Sequence, residues 1–193
     1  MDEIKKLANK ISKVPGTSHH RFAALESFHR RWTKFFGTEE FCKKTDTILD
    51  FGCAAGFSIF TARKFGFNNV KGIDVHRDNP VTRMRDEVSR IIGTYNDITR
   101  YVGYGRLPYD DNTFDVMIAA DAMGKDSTAP KHDTDERTKK FIERMNELVR
   151  ISKPNSKWYI RGPKHLKYTQ EMYEELKLGK NITIQYLEID KKW

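Results

Sequence analysis

Two acids and two glycines stand within one 25-residue stretch: Asp50, Gly52, Gly56 and Asp74. The segment Ile48-Leu49-Asp50-Phe51-Gly52-Cys53-Ala54-Ala55-Gly56-Phe57 reads as a short buried strand with an acid near its end, then a glycine turn that opens a helix. Asp74 lies eighteen residues past Gly56, directly after a second apolar run, Val70–Ile73. In open α/β sheets ligands sit at the carboxyl ends of strands, so an acid there is placed to accept from a pair of ribose hydroxyls. Position 54 is alanine, so the G-x-G-x-x-G pattern that seats a pyrophosphate on a helix N-terminus is missing. The pattern is instead D-x-G-x-x-x-G. A carboxylate two residues before the first glycine repels a pyrophosphate and attracts an ammonium group. The chemistry implied is recognition of a ligand carrying both an ammonium group and a ribose.

This constellation resembles the first motif of the class I S-adenosylmethionine-dependent methyltransferases, and Asp74 matches that family's ribose-binding acid. The resemblance covers roughly residues 47–190. It implies a Rossmann-like fold and S-adenosylmethionine as cofactor, held by Asp50, Gly52, Cys53, Ala54, Ala55, Gly56, Phe57, Asp74 and Val75. It gives Asp97 and Ile98, just after an expected third strand, to the adenine. It gives Asp121, directly after the fourth strand, to the edge beside the sulfonium and the acceptor. The segment Leu107–Asp115 looks like the linker into strand 4 of many small members, and no chemistry is assigned to it.

Within the family, the order Asn96-Asp97-Ile98, Phe114-Asp115-Val116 leading to Asp121, then Trp158-Tyr159-Ile160-Arg161 is most similar to the FtsJ-like and flavivirus-type RNA ribose 2′-O-methyltransferases. Ser18–Leu25 is similar to their opening motif. The likeness implies Asp121, Arg161 and Lys164 as catalytic residues and RNA, including the mRNA cap, as acceptor. Arg161 stands where that group has a lysine. An arginine stays protonated, so it stabilises an alkoxide and does not act as a base. Lys164, three residues on, is the candidate replacement. Arg21 and Lys34 are candidates for the N-terminal lysine of the tetrad, and Glu188 for its glutamate. With the tetrad degenerate, two alternatives stay open: a small-molecule methyltransferase, or a cofactor- or RNA-binding domain without activity.

Composition narrows the class. A chain of 193 residues with 38% hydrophobic residues builds one full domain. No apolar run approaches the ~20 residues of a membrane span, and the N-terminus lacks a signal-peptide core. Two cysteines, Cys42 and Cys53, make no disulfide framework, and no metal-ligand spacing is present. These features predict a reducing, cytoplasmic setting. The 35 Lys and Arg against 27 Asp and Glu give +8, with pI ≈ 9.4. That balance favours a polyanionic partner such as RNA, because basic side chains displace condensed counterions. Arg21, Arg30, Arg31 and Lys34 gather on one short segment and are the candidate substrate-binding residues.

These residues need elements to position them. Residues 1–46 are expected as a basic N-terminal helical extension, with Leu25, Phe28, Trp32, Phe35 and Phe36 as one apolar stripe. Residues 47–193 are expected as the cofactor-binding domain, an α/β fold with a mostly parallel sheet flanked by helices. Strands are predicted at Thr47–Phe51, Val70–Ile73, near Ile91–Asn96, at Phe114–Ala120, Lys157–Arg161 and Ile182–Ile189. Helices are predicted at Phe57–Lys64, around Thr82–Arg90, at Thr134–Ser152 and at Thr169–Leu178. The loop from Met123 to Asp133 reads as a substrate lid or binding loop. The family's last antiparallel strand has no room after the sixth, which suggests a trimmed fold or part of a longer polypeptide.

Overall fold

The computed structural model describes residues 2–17, 25–75, 77–101, 105–120, 122, 134–161 and 180–186. Strands and helices alternate along the chain. Among the described residues there are six strands, and every pairing recorded between them is parallel. The α/β class expected from the alternation is what forms. The predicted helix Thr169–Leu178 and the strand beyond Tyr186 fall outside the described residues. The chain divides into two compact units: residues 1–46 with 52–102, and residues 47–51 with 103–193.

The first unit contains helices α1 (Asp2–Ile11) and α2 (Leu25–Phe36), then α3 (Phe57–Lys64), strand β2 (Val70–Val75), α4 (Pro80–Ile92) and β3 (Ile98–Tyr101). Helix α2 forms because its apolar residues repeat at helical spacing. Leu25, Trp32, Phe35 and Phe36 are buried. Phe28 is half-buried and stacks on Phe57 of α3 at 5.1 Å between ring centroids. One core gathers Ile11, Leu25, Phe57, Phe60, Met84 and Val88, drawn from α1, α2, α3 and α4. The N-terminal helices thus pack directly under the glycine turn, whose Ala55 is fully buried in the same cluster.

Helix α4 starts at Asn79, whose side chain accepts the Thr82 N–H at 2.9 Å, with Pro80 as first helical residue. Its buried positions Met84, Val88 and Ile92 fall four apart. The stripe therefore runs through Ile91-Ile92, which are helical and not part of a third strand. Gly93, at φ 77°, closes the helix, with Thr94 N–H donating to Ser89 O at 2.8 Å. A short 3-10 turn, Tyr95–Asp97, follows, and β3 begins only at Ile98. The third strand is thus displaced from the expected Ile91–Asn96. It pairs with β2 in the register Gly72 to Ile98, Ile73 to Thr99, Asp74 to Arg100 and Val75 to Tyr101.

The second unit holds β1 (Ile48–Phe51), β4 (Phe114–Ala120), α5 (Thr134–Ile151), β5 (Ser152–Arg161) and β6 (Thr183–Tyr186). Its strands pair in the order β1-β4-β5-β6. Val116 to Ala119 are each at most 1% exposed, as a central parallel strand demands. Helix α5 ends at Ile151, and β5 starts at the next residue. Pro154 lies inside the strand, where the pairing with β4 shifts register. Lys180 receives the helix end: its Nζ donates to the carbonyls of Val149, Arg150 and Ser152 at 2.8, 2.8 and 2.9 Å. Trp158 Nε1 donates to Ser152 Oγ at 2.9 Å, satisfying a buried indole.

No helix among the described residues is long and apolar enough to cross a membrane. Cys42 and Cys53 are both buried free thiols.

Candidate functional site

The glycine turn owes its shape to three left-handed residues in five: Gly52 at φ 78°, Ala54 at 53° and Gly56 at 79°. Glycine adopts such angles without steric cost; alanine does so against its preference. Gly52 N–H and Cys53 N–H both donate to Ile73 O of β2, at 2.8 and 3.2 Å. Gly56 N–H donates to Cys53 O at 2.8 Å, which closes the turn onto α3. The turn lies so close to β2 that a Cβ on Gly72 would stand 2.5 Å from Cys53 Sγ and 2.9 Å from Ile59 Cδ1. A Cβ on Gly56 would meet Thr94 Oγ1 and Ile98 Cδ1, each at 3.0 Å. Thr94 is itself fully buried and donates to Ala55 O at 2.8 Å.

These contacts sort the residues assigned to the cofactor. Ala55 and Phe57 turn their side chains into the core, and Cys53 faces Gly72 and β2. From these three the turn has only backbone to offer a ligand. Gly52 and Ala54 are the half-exposed members. Asp74 is 8% exposed and Val75, after it, is half-buried; both close β2 at its carboxyl end. In the second unit Asp50 is 4% exposed, second from the end of β1 and opposite Ile118 of β4.

Asp97 does not stand where the sequence reading put it. It precedes β3, at the amino end of the β2–β3 pair, where it forms ion pairs with Arg63 and with Lys71 at 3.3 Å. The physical reason is the longer α4, which moves the strand and leaves Asp97 as a structural counter-ion on the opposite edge. This placement, before β3 and not after a third strand, is opposite to the one expected for an adenine contact. Ile98 opens β3 rather than following it and packs against Gly56. The segment after β3, residues 102–104, lies outside the described residues.

The neighbours of Asp74 were not anticipated. Its Oδ1 accepts the Val75 N–H at 2.9 Å. Its Oδ2 faces Arg85 Nη1 at 3.0 Å and Arg100 Nη1 at 3.6 Å. Arg100 also donates from Nη1 to Ala54 O at 3.0 Å and from Nε to Asp86 Oδ1 at 2.8 Å. One guanidinium thus touches the glycine turn, the acid of β2 and helix α4. The signal for this contact is the register of β3, which sets Arg100 opposite Asp74.

Of the catalytic candidates, Asp121 and Lys164 lie outside the described residues, and for Arg161 the backbone alone is described. Arg161 pairs with Ala120, the residue before Asp121, so strands β4 and β5 end side by side. Of the basic residues, Arg21 is outside the described set; Arg30 and Lys34 are exposed on α2, one turn apart. Arg31 lies over the Phe28 ring at 5.1 Å.

The Leu107–Asp115 segment sits at the amino end of β4. Arg150 of α5 donates to Leu107 O at 3.0 Å and Tyr109 O at 2.9 Å, and pairs with Asp111 at 2.6 Å and Glu147 at 2.8 Å. The Arg150 hydrogen bond holds the Glu147 carboxyl below its usual range, against the opposing effect of burial. A surface concavity of about 470 Å³ lined by Arg106, Leu107, Pro108, Tyr109, Asp110 and Thr113 lies along this segment. Its place at the amino ends of the strands removes it from the edge where α/β folds bind substrates.

No protein-family model matches the chain, and no curated protein sequence does. Solved structures do. The YcgJ protein from Bacillus subtilis is 16% identical over 77% of this chain and 68% of its own, with a TM-score of 0.49. A putative S-adenosyl-L-methionine-dependent methyltransferase from Methanococcus maripaludis is 17% identical over 90% of this chain and 70% of its own, with a TM-score of 0.46. A putative sarcosine dimethylglycine methyltransferase from Galdieria sulphuraria is 21% identical over 86% of this chain and 58% of its own, also at 0.46. The chain spans about half the length of the MccD protein, 49%, to which it is 20% identical with a TM-score of 0.43 over 67% of this chain.

Proposed function

We propose that this protein is an S-adenosylmethionine-dependent methyltransferase that binds its cofactor at the glycine turn and Asp74. The observation that carries the reading is the left-handed turn of residues 52–56, fastened to the same strand that presents Asp74 near its carboxyl end. The residues fit the group. The turn exposes Gly52 and Ala54 with little side-chain bulk, and Asp74 Oδ1 accepts one backbone N–H among the described residues, leaving it capacity for a hydroxyl. Asp50, two residues ahead of Gly52, is assigned to the ammonium group. Bound S-adenosylmethionine supplies a methyl group already activated on a sulfonium. What remains for the chain is to hold donor and acceptor in line, about 3 Å apart. Asp121, Arg161 and Lys164, at or beyond the ends of β4 and β5, are assigned to the acceptor: the acid orients a hydroxyl, and the cations stabilise its oxygen as the proton passes to bulk water.

For the acceptor we propose RNA, with the ribose 2′-hydroxyl, including that of an mRNA cap, as the methylated atom. Support comes from the +8 charge and from exposed cations on α1 and α2, among them Lys5, Lys6, Lys10, Arg30 and Lys34. Arg21 and Arg31 are assigned to the same surface. The test pairs binding with turnover. Asp74→Ala is expected to weaken binding of S-adenosylhomocysteine by about tenfold or more, the loss of a hydrogen bond to a charged group. Wild-type affinity in that variant, read by titration calorimetry, overturns the ribose assignment. Labelled methyl transfer is then measured on capped and uncapped RNA. Transfer to a small metabolite with none to either RNA replaces the acceptor class; cofactor binding with no transfer to any acceptor makes the protein a binding domain.

A further inference from the structure

Asp74, the acid that the reading above gives to the sugar, does not offer two equal oxygens. Oδ2 is held between two cations, Arg85 Nη1 at 3.0 Å and Arg100 Nη1 at 3.6 Å. Oδ1 has the Val75 N–H. The Arg100 side chain is only 14% exposed: Nη1 donates to Ala54 O at 3.0 Å, Nε donates to Asp86 Oδ1 at 2.8 Å, and Nη2 stands 2.7 Å from the same Asp86 oxygen as an ion-pair contact. Two arginines face two aspartates, so the cluster is balanced in charge and does not read as an anion site. The planar fork fixes direction as well as charge, which a lysine would not do. Rotating the Asp74 carboxylate to present both oxygens to a ligand would strip a partly buried guanidinium of its partner, at a cost.

We propose that Arg100, together with Arg85, is a positioning residue that makes Asp74 a one-oxygen acceptor. Oδ2 stays with the arginines, Oδ1 takes a single hydroxyl of the cofactor's ribose, and the two hydroxyls are read unequally. Because Arg100 also holds Ala54 O, the acid and the glycine turn are set relative to each other by one side chain. This inference rests on the cofactor assignment above, and its test separates the two. Binding of S-adenosylhomocysteine, its 2′-deoxy analogue and its 3′-deoxy analogue is measured by calorimetry on the full chain, on Arg100→Met and on the double variant Arg85→Met with Arg100→Met. In the wild type, loss of one hydroxyl is expected to cost about tenfold and loss of the other under about threefold. In Arg100→Met the parent ligand weakens by about tenfold and the difference between the deoxy analogues narrows, because Arg85 still donates to Oδ2 at 3.0 Å; in the double variant Arg85→Met with Arg100→Met the difference disappears. A residue that merely supports the fold would lower affinity for all three ligands together and leave their ratios alone. Equal cost for the two analogues in the wild type overturns the inference, as does an Arg100→Met variant that keeps both affinity and ratio. If Arg100→Met does not fold, the wild-type ratio decides alone. If S-adenosylhomocysteine itself does not bind the wild type, the cofactor assignment fails and this inference falls with it.

Discussion

Arg100 and Arg150 do the same chemistry in two regions of the molecule and differ in which strand end they serve. Each is a partly buried guanidinium that donates to loop carbonyls and pairs with two carboxylates: Ala54, Asp74 and Asp86 for Arg100; Leu107, Tyr109, Asp111 and Glu147 for Arg150. Arg100 works at the carboxyl end of β2, beside the glycine turn. Arg150 works at the amino end of β4 and pins a connecting segment. An arginine network is therefore no sign of a site by itself. The strand end decides, because ligands in open α/β folds gather at the carboxyl ends. The comparison forecasts that breaking the Arg150 network costs stability and breaking the Arg100 network costs ligand recognition.

The largest effect is expected at Arg150. Arg150→Ala strips Tyr109 O of the guanidinium, leaves the half-buried Glu147 carboxylate with the Leu107 N–H and Leu107 O with the Tyr109 N–H, and should cost about 3 kcal/mol of unfolding free energy. Chemical denaturation measures it. S-adenosylhomocysteine affinity of the protein that remains folded should match the wild type. A loss below about 1 kcal/mol would mean the network is only a surface decoration.

The second test strikes the cradle from beneath. Gly72→Ala puts a methyl 2.5 Å from Cys53 Sγ and 2.9 Å from Ile59 Cδ1, so the turn or α3 must move. Overpacking of this kind costs about 2 kcal/mol. Here stability and ligand affinity should fall together, because Cys53 is part of the turn itself. Adding Cys53→Ala removes the sulfur and should recover more than half of both losses. Additive losses in the double variant would show that the two residues do not oppose each other.

Local rules in the sequence reached some of this and missed the rest. Helix α3 forms at Phe57–Lys64 and β4 at Phe114–Ala120, as predicted, because a glycine turn marks the start of one and an unbroken apolar run marks the other. The acid–glycine constellation was visible for the same reason: its members are neighbours in the chain. Strand β3 was not. Ile98, Thr99, Arg100 and Tyr101 are all half-buried and include a charge, so no hydrophobic pattern flags them, while Ile91-Ile92 next door imitates a strand and belongs to α4. Asp97 went to the wrong edge with that error. Arg100 was invisible on separate grounds, since its partners Asp86, Asp74 and Ala54 lie 14, 26 and 46 residues away. An arginine inside a short strand, in register with an acid, was the available signal.

Acid sharpens the contrast further, with the smallest effect. In the first unit His29 Nδ1 lies 3.0 Å from Thr61 Oγ1. Burial, then the nearby Lys64, pushes its pKa below the ordinary 6.5. The unfolded chain therefore takes up the proton first. The stability this group contributes is complete above pH 6.5 and is lost as pH falls from there through the lower folded value. In the second unit Glu147 is held below its ordinary 4.5, so its contribution persists through that range and is lost only on further acidification. A gentle decline should thus begin below pH 6.5, ahead of a steeper one below 4.5. His29→Gln keeps a hydrogen-bonding group at Thr61 without titrating, and should flatten the first decline while leaving the second. Denaturation midpoints at closely spaced pH values read both phases. An unchanged first phase in that variant would move the acid-sensitive contact away from the α2–α3 packing.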